Sequence, residues 1–191
     1  MSTLWRLAGS LLARFVRAER GVAAIEFALI LPFMLVVYLG SMEASTLISV
    51  DRKVQSVAGT IGDLVARADG TLTATQIQDY FRAASGIMTP YSSDPVLQVV
   101  TAVNVDDSGT ATVAWSRQYQ DGVYSAITPH ADNAPYPLPD EMIAISRGRT
   151  VIVGEASYSF TPLFGMIFNQ PVNLYRSSFY LPRFGGSITV N

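Results

Sequence analysis

One stretch limits what this chain can become. From Arg20 to Val50 it reads RGVAAIEFALILPFMLVVYLGSMEASTLISV. After Glu26 no charge appears until Glu43. About twenty apolar residues, each rising 1.5 Å in a helix, match the ~30 Å hydrocarbon core of a bilayer. We therefore expect a membrane span over about 22–42. Inside its first turns sits a carboxylate, Glu26, which costs ~2.5–3.5 kcal/mol deep in lipid and less if it reaches the headgroups. Position near the interface explains how a bare anchor tolerates it. It does not explain why an acidic residue stands there.

Charge along the chain sets the expected orientation. Residues 1–21 hold Arg6, Arg14, Arg17 and Arg20 against Glu19. Four arginines before the span, against Arg52 and Lys53 after it, favour a cytoplasmic N-terminus. The body then lies across the membrane, in the periplasm of a Gram-negative cell. The whole chain carries a formal charge of −2; without its basic first 21 residues it is more acidic still. A mildly acidic body argues against nucleic acid as a partner. With no cysteine, disulfides and thiol chemistry are excluded. A removed secretory signal would need small residues just after the apolar run, where Gly40-Ser41-Met42-Glu43-Ala44 places Met and Glu.

The leading residues, with Leu4, Trp5, Leu7, Leu11 and Leu12 between arginines, fit either a short amphipathic helix on the inner leaflet or an unstructured leader. Past the span the helix is expected to continue. Leu47, Val50, Val54, Val57, Ile61, Leu64 and Ala68 recur at steps of three and four. Asp69-Gly70 reads as its stop, with Gly70 free to take a left-handed cap. One helix of about 22–68 thus has an apolar first half and an amphipathic second half, the latter packed on the chain's own sheet. Pro32 and Gly40 mark points where the membrane part can bend.

Thr73 and Gln76 then fit a capping box for a second helix, with Ile77, Tyr80, Phe81 and Ala84 on one face and Gly86 as terminator. The period changes to two over Leu97–Val105. Asp106-Asp107-Ser108-Gly109 is a turn, and Ala111, Val113, Trp115 and Arg117 share one face of the returning strand. Residues 121–147, rich in proline, read as irregular with a short helix near 139–145. Third and fourth strands follow over about 150–160 and 173–181. Between them, Pro162-Leu163-Phe164-Gly165-Met166-Ile167-Phe168 is unusually apolar for a connection, fitting a satellite core or a patch touching membrane or partner. The sum is an α+β fold: a long N-terminal helix packed on a roughly four-stranded, mainly antiparallel sheet.

Catalytic chemistry finds no constellation here. His130 is the only histidine, in a proline-rich loop beside Asp132, and reads as a solvated loop residue. One His without Cys leaves zinc with carboxylates, and Asp106–Gly109 lacks the spacing of a calcium loop. No enzyme activity, cofactor or metal is expected.

Gly21, four small or apolar residues, Glu26-Phe27 and then the apolar run resemble the processing site of type IV prepilins. The closest likeness is to TadE-like pseudopilins of tight-adherence (Flp-type) pilus systems, whose pattern also carries a proline soon after the Glu-Phe pair, here Pro32. The resemblance is specific over 20–45. It implies a pilin-like plan, in which residues 1–21 are a leader and 69–191 a periplasmic domain. It also implies cleavage between Gly21 and Val22 by a prepilin peptidase, and a role for Glu26 in assembly. Other pilins, pilus assembly proteins, the peptidase and inner-membrane lipid are the implied partners. Small residues Ala28, Gly40 and Ala44 would admit close helix approach. The same residues also fit an uncleaved single-pass assembly subunit, or a tethered periplasmic module whose sheet binds a ligand.

Overall fold

A computed structural model describes residues 19–163, 165 and 169–191, with side chains from Gly21 onward. Residues 1–18 of the expected leader, and Phe164 and Met166 to Phe168 of the apolar connection, lie outside the described residues; residues 19–21 of that leader already belong to the first helix.

A single helix, α1 (Glu19–Ala66), spans 48 residues with Pro32 inside it. At 1.5 Å per residue it is about 72 Å long, more than twice a bilayer core. In its N-terminal half the most apolar window is 0% buried. In its C-terminal half Val50, Val54, Val57, Ala58, Ile61 and Val65 are fully buried. The expected stripe holds through Ile61 and then moves over by one residue. Val65 is buried where Leu64 was expected, and Leu64 is half-buried, because a strict three-four alternation drifts from a 3.6-residue turn. The helix ends two residues before Ala68, and Gly70 takes φ +85° beyond it.

A short strand β1 (Thr71–Leu72) leads into helix α2 (Ala74–Ser85). The capping box is present: Thr73 Oγ1 accepts from the Gln76 amide at 3.2 Å, and Gln76 Oε1 accepts from the Thr73 amide at 2.9 Å. Ile77, Phe81 and Ala84 turn inward. Then come β2 (Leu97–Val105), β3 (Ala111–Gln120), β4 (Val123–Ser125), helix α3 (Asp140–Ser146), β5 (Arg149–Phe160), β6 (Val172–Tyr180) and β7 (Thr189–Val190). The main sheet has five strands in the order β4-β3-β2-β5-β6, antiparallel throughout. The strand beyond the expected four is β4, three residues in a stretch too short to show alternation. A separate parallel pair, β1 with β7, ties the chain end to the residues that follow α1.

One face of the sheet packs on α1 and α2, through Val100, Ala102, Trp115, Ile152 and Ala156. The other face is covered as well. Tyr136, Leu138, Met142 and Ile143 lie over Val103, Val105, Val113, Val151 and Val153. The proline-rich connection is therefore a second covering layer rather than a loose loop. It is hydrogen-bonded to the outer edge of β3, with Val113 N to Ala134 O at 2.9 Å and Tyr136 N to Ala111 O at 3.0 Å.

The returning strand corrects one expectation. Ala102 pairs with Trp115 while Val103 pairs with Val113, so Ala114 is an extra residue in a β-bulge. The bulge shifts the alternation by one, so Ala111 and Val113 face the second layer while Trp115 and Tyr119 face the helices. These residues do not share one face.

Candidate functional site

The surface that distinguishes this chain is the uncovered half of α1. Val22, Ile25, Phe27, Leu29, Phe33 and Tyr38 are each more than half exposed, Leu29 at 78%. A soluble domain does not leave such a contiguous apolar surface open; here it surrounds the helix, as a span requires. Gly21 and Val22 lie within the helix, and nothing approaches Gly21 within 4 Å. Glu26 and Phe27 are exposed beside them, with Ala28 and Pro32 on the same open stretch. Val22 and Glu26 are four residues apart, hence one turn and about 6 Å along the axis.

Between Leu39 and Leu47 the helix passes from open to covered. Gly40 is buried and Ala44 half-buried, whereas Ala28 is open. Glu43, only 3% exposed, accepts a hydrogen bond from the Gly165 amide at 2.7 Å. A backbone N–H is thereby spent on a carboxylate at the point where the helix leaves its apolar half.

The covered half is fixed by close approach. Gly154 of β5 lies under the helix, where an added Cβ would overlap the Ala58 carbonyl oxygen and come within 2.8 Å of the Gly62 nitrogen. An added Cβ on Gly62 would meet the Tyr180 ring at 2.7 Å. Gly154 keeps the two-residue step of Ile152 and Ala156, and Gly62 stands four residues from Ala58, but the hydrophobic pattern does not show that the two glycines meet. Polar pairs bracket the contact: Arg176 Nη2 to Asp51 Oδ2 at 2.7 Å, and Arg183 Nη2 to Asp63 Oδ1 at 2.5 Å. The Arg67 hydrogen bond, aided by Arg183, holds the Asp63 carboxyl below its ordinary range.

On the opposite face, Glu155 is 5% exposed. It accepts from the Tyr175 hydroxyl at 2.5 Å and meets His130 Nε2 at 2.7 Å. His130 also packs edge-on to Tyr136 at 4.9 Å. Burial, with the Glu155 charge beside them, raises the Tyr136 and Tyr175 hydroxyls above the usual tyrosine range. His130 is thus not the solvated residue expected: it fastens the covering layer to β5. Its partner lies 25 positions away in sequence, so only the fold could reveal the pair. Among the described residues, no group of three or more His, Cys, Asp or Glu is placed to hold a metal.

The comparison with known families falls on this same helix. Residues 21–61 match the TadE-like protein family. The matched stretch begins at the glycine of the expected processing site and ends at Ile61, inside the helix–sheet contact. It includes Glu26, Phe27, Pro32, Gly40 and Ala44, and stops short of the sheet. No curated protein and no solved structure matches the chain. The TadE-like segment is therefore one continuous helix, open in its first half and docked in its second.

Proposed function

We propose that this chain is a TadE-like minor pilin, or pseudopilin, that takes part in priming or assembling a tight-adherence (Flp-type) pilus. It is inserted in the inner membrane with its N-terminus cytoplasmic and residues 69–191 periplasmic, and is cut after Gly21 by a prepilin peptidase. The observation that carries this reading is the division of α1 within the family segment. The domain grips the second half of the helix and leaves the first half free for lipid or for other pilin helices.

Its action is mechanical. In the membrane the open half is solvated by lipid; in an assembly the same surface packs on neighbouring apolar helices, where Ala28 permits close approach and Gly40 and Ala44 lie at the junction with the domain. Cleavage frees an α-amine at Val22, which is cationic or partly so near neutral pH. A neighbouring subunit's Glu26 would neutralise it in an apolar bundle. Breaking such a buried pair costs ~3–5 kcal/mol, so it favours one register of docking. Phe27, beside Glu26, adds apolar contact at the same level.

The test is Glu26→Ala and Glu26→Gln in the full chain, measured by pilus assembly in cells at equal protein level in the membrane. Both variants insert and fold, because Glu26 contacts no part of the domain, and both lose assembly. Normal assembly by Glu26→Ala removes the register role and leaves α1 as an anchor.

A further inference from the structure

We propose that Leu163, in the connection between β5 and β6, is a second membrane contact, set into the lipid–water interface beside the point where α1 emerges. This rests on the span alone and not on the pilin reading. Two independent measures of height agree. Along α1, Tyr38 is the last residue of the fully open stretch and an aromatic of the kind enriched at bilayer interfaces. Glu43 follows five residues later, about 7.5 Å along the axis. The headgroup layer on each side of the core is of similar depth, ~5–8 Å. Gly165 is tied to Glu43 and so lies at that depth, two residues from Leu163.

The sheet gives the same height. The Arg176–Asp51 ion pair and the Ala156↔Arg176 register set this rung level with Asp51 of the helix. From Asp51 to Glu43 the helix descends about 12 Å. From Ala156 to the end of β5 at Phe160 the strand descends about 13 Å. Strand and helix therefore reach the bilayer surface together, and the connection begins there.

Its chemistry suits that place. From Ala156 to Tyr175 the sequence has no charged residue. Leu163 is 84% exposed, so it is not part of a satellite core. Exposed leucine on an uncharged loop at headgroup depth gains by entering the acyl boundary, as interfacial anchors do. Held at α1 and at this loop, the domain would stand at a fixed angle on the membrane rather than swing about one helix.

The chain's lack of cysteine provides the test. Leu163→Cys, Phe33→Cys and Phe184→Cys each create a single labelling site in the full chain, at positions exposed enough to leave the fold intact. Each is spin-labelled in phosphatidylethanolamine–phosphatidylglycerol vesicles, and collisions with oxygen are compared with collisions with a water-soluble nickel chelate. Phe184 adjoins Arg183, which pairs with Asp63, about 30 Å along the helix from Glu43, and reports water. Phe33 reports lipid. The expected result at 163 is an oxygen-to-nickel ratio several-fold above that at 184 and below that at 33. A ratio equal to that at 184 overturns the contact. Protection from both reagents overturns it too, by placing a protein there. Water at both 33 and 163 removes the span and this contact together.

Discussion

The two halves of α1 are one helix under two different constraints. Between Val22 and Tyr38 nearly every side chain is apolar and all are exposed. Between Val50 and Ala66 the apolar residues fall on one stripe, and that stripe is buried. The first half solves its solvation through composition, since an apolar surface in every direction suits lipid. The second half solves it through periodicity and close fit, since one direction meets a sheet and the others water. Identical backbone geometry thus carries a half on which the domain's stability does not depend and a half on which it does.

That contrast is broken most directly by matched truncations. Ile61→Ala removes a fully buried side chain from the helix–sheet core and is expected to cost about 2–5 kcal/mol. Ile30→Ala, about half exposed in the open half, is expected to change domain stability by less than ~0.5 kcal/mol. Thermal unfolding in detergent, followed by circular dichroism of the sheet, measures both. Equal losses would mean that the halves are not energetically separate.

Next in size is Gly154→Ala, which forces a Cβ into the Ala58–Gly62 backbone. Overpacking of this kind costs about 1–3 kcal/mol, whereas Gly21→Ala, with open space around it, is expected to leave the domain's midpoint unmoved. The smallest effect is the pH response of the Asp63 pair. Hydrogen bonding to Arg67, then contact with Arg183, lowers the folded-state pKa of Asp63. Its contribution is therefore complete above the ordinary aspartate range, near pH 4, and is lost as pH falls through the lowered value. Because the pair is largely at the surface, the acid loss specific to wild type against Asp63→Asn is at most about 2–4 °C in midpoint. No difference between the two at neutral pH, where the Asp63 carboxylate is charged, would leave the pair without a role in docking.

What the sequence made legible follows the same division. Uniform composition announced the open half, and the stripe announced the docked half through Ile61. The capping box at Thr73 and Gln76 and the turn at Asp106–Gly109 were also readable, because each is written within a few residues. The larger misses were non-local. The bulge at Ala114 depends on the register of β2 against β3. The fit of Gly62 over Gly154 needs two elements 92 positions apart to meet, and the partnership of His130 with Glu155 needs the proline-rich layer to be laid on β5. That layer escaped because its apolar residues, Tyr136, Leu138, Met142 and Ile143, follow neither helical nor strand period across their whole length. The candidate site was legible as a motif, and so was its place on the uncovered half of the helix; the hydrogen bond from the Gly165 amide to Glu43 at the boundary was not.

The most direct test of the account is the N-terminus of the membrane-extracted protein, read by intact mass and N-terminal sequencing with and without the prepilin peptidase. The account predicts a chain beginning at Val22 only when the peptidase is present. An intact leader under both conditions would contradict it, leaving α1 an uncleaved anchor and Glu26 without the amine it is proposed to meet.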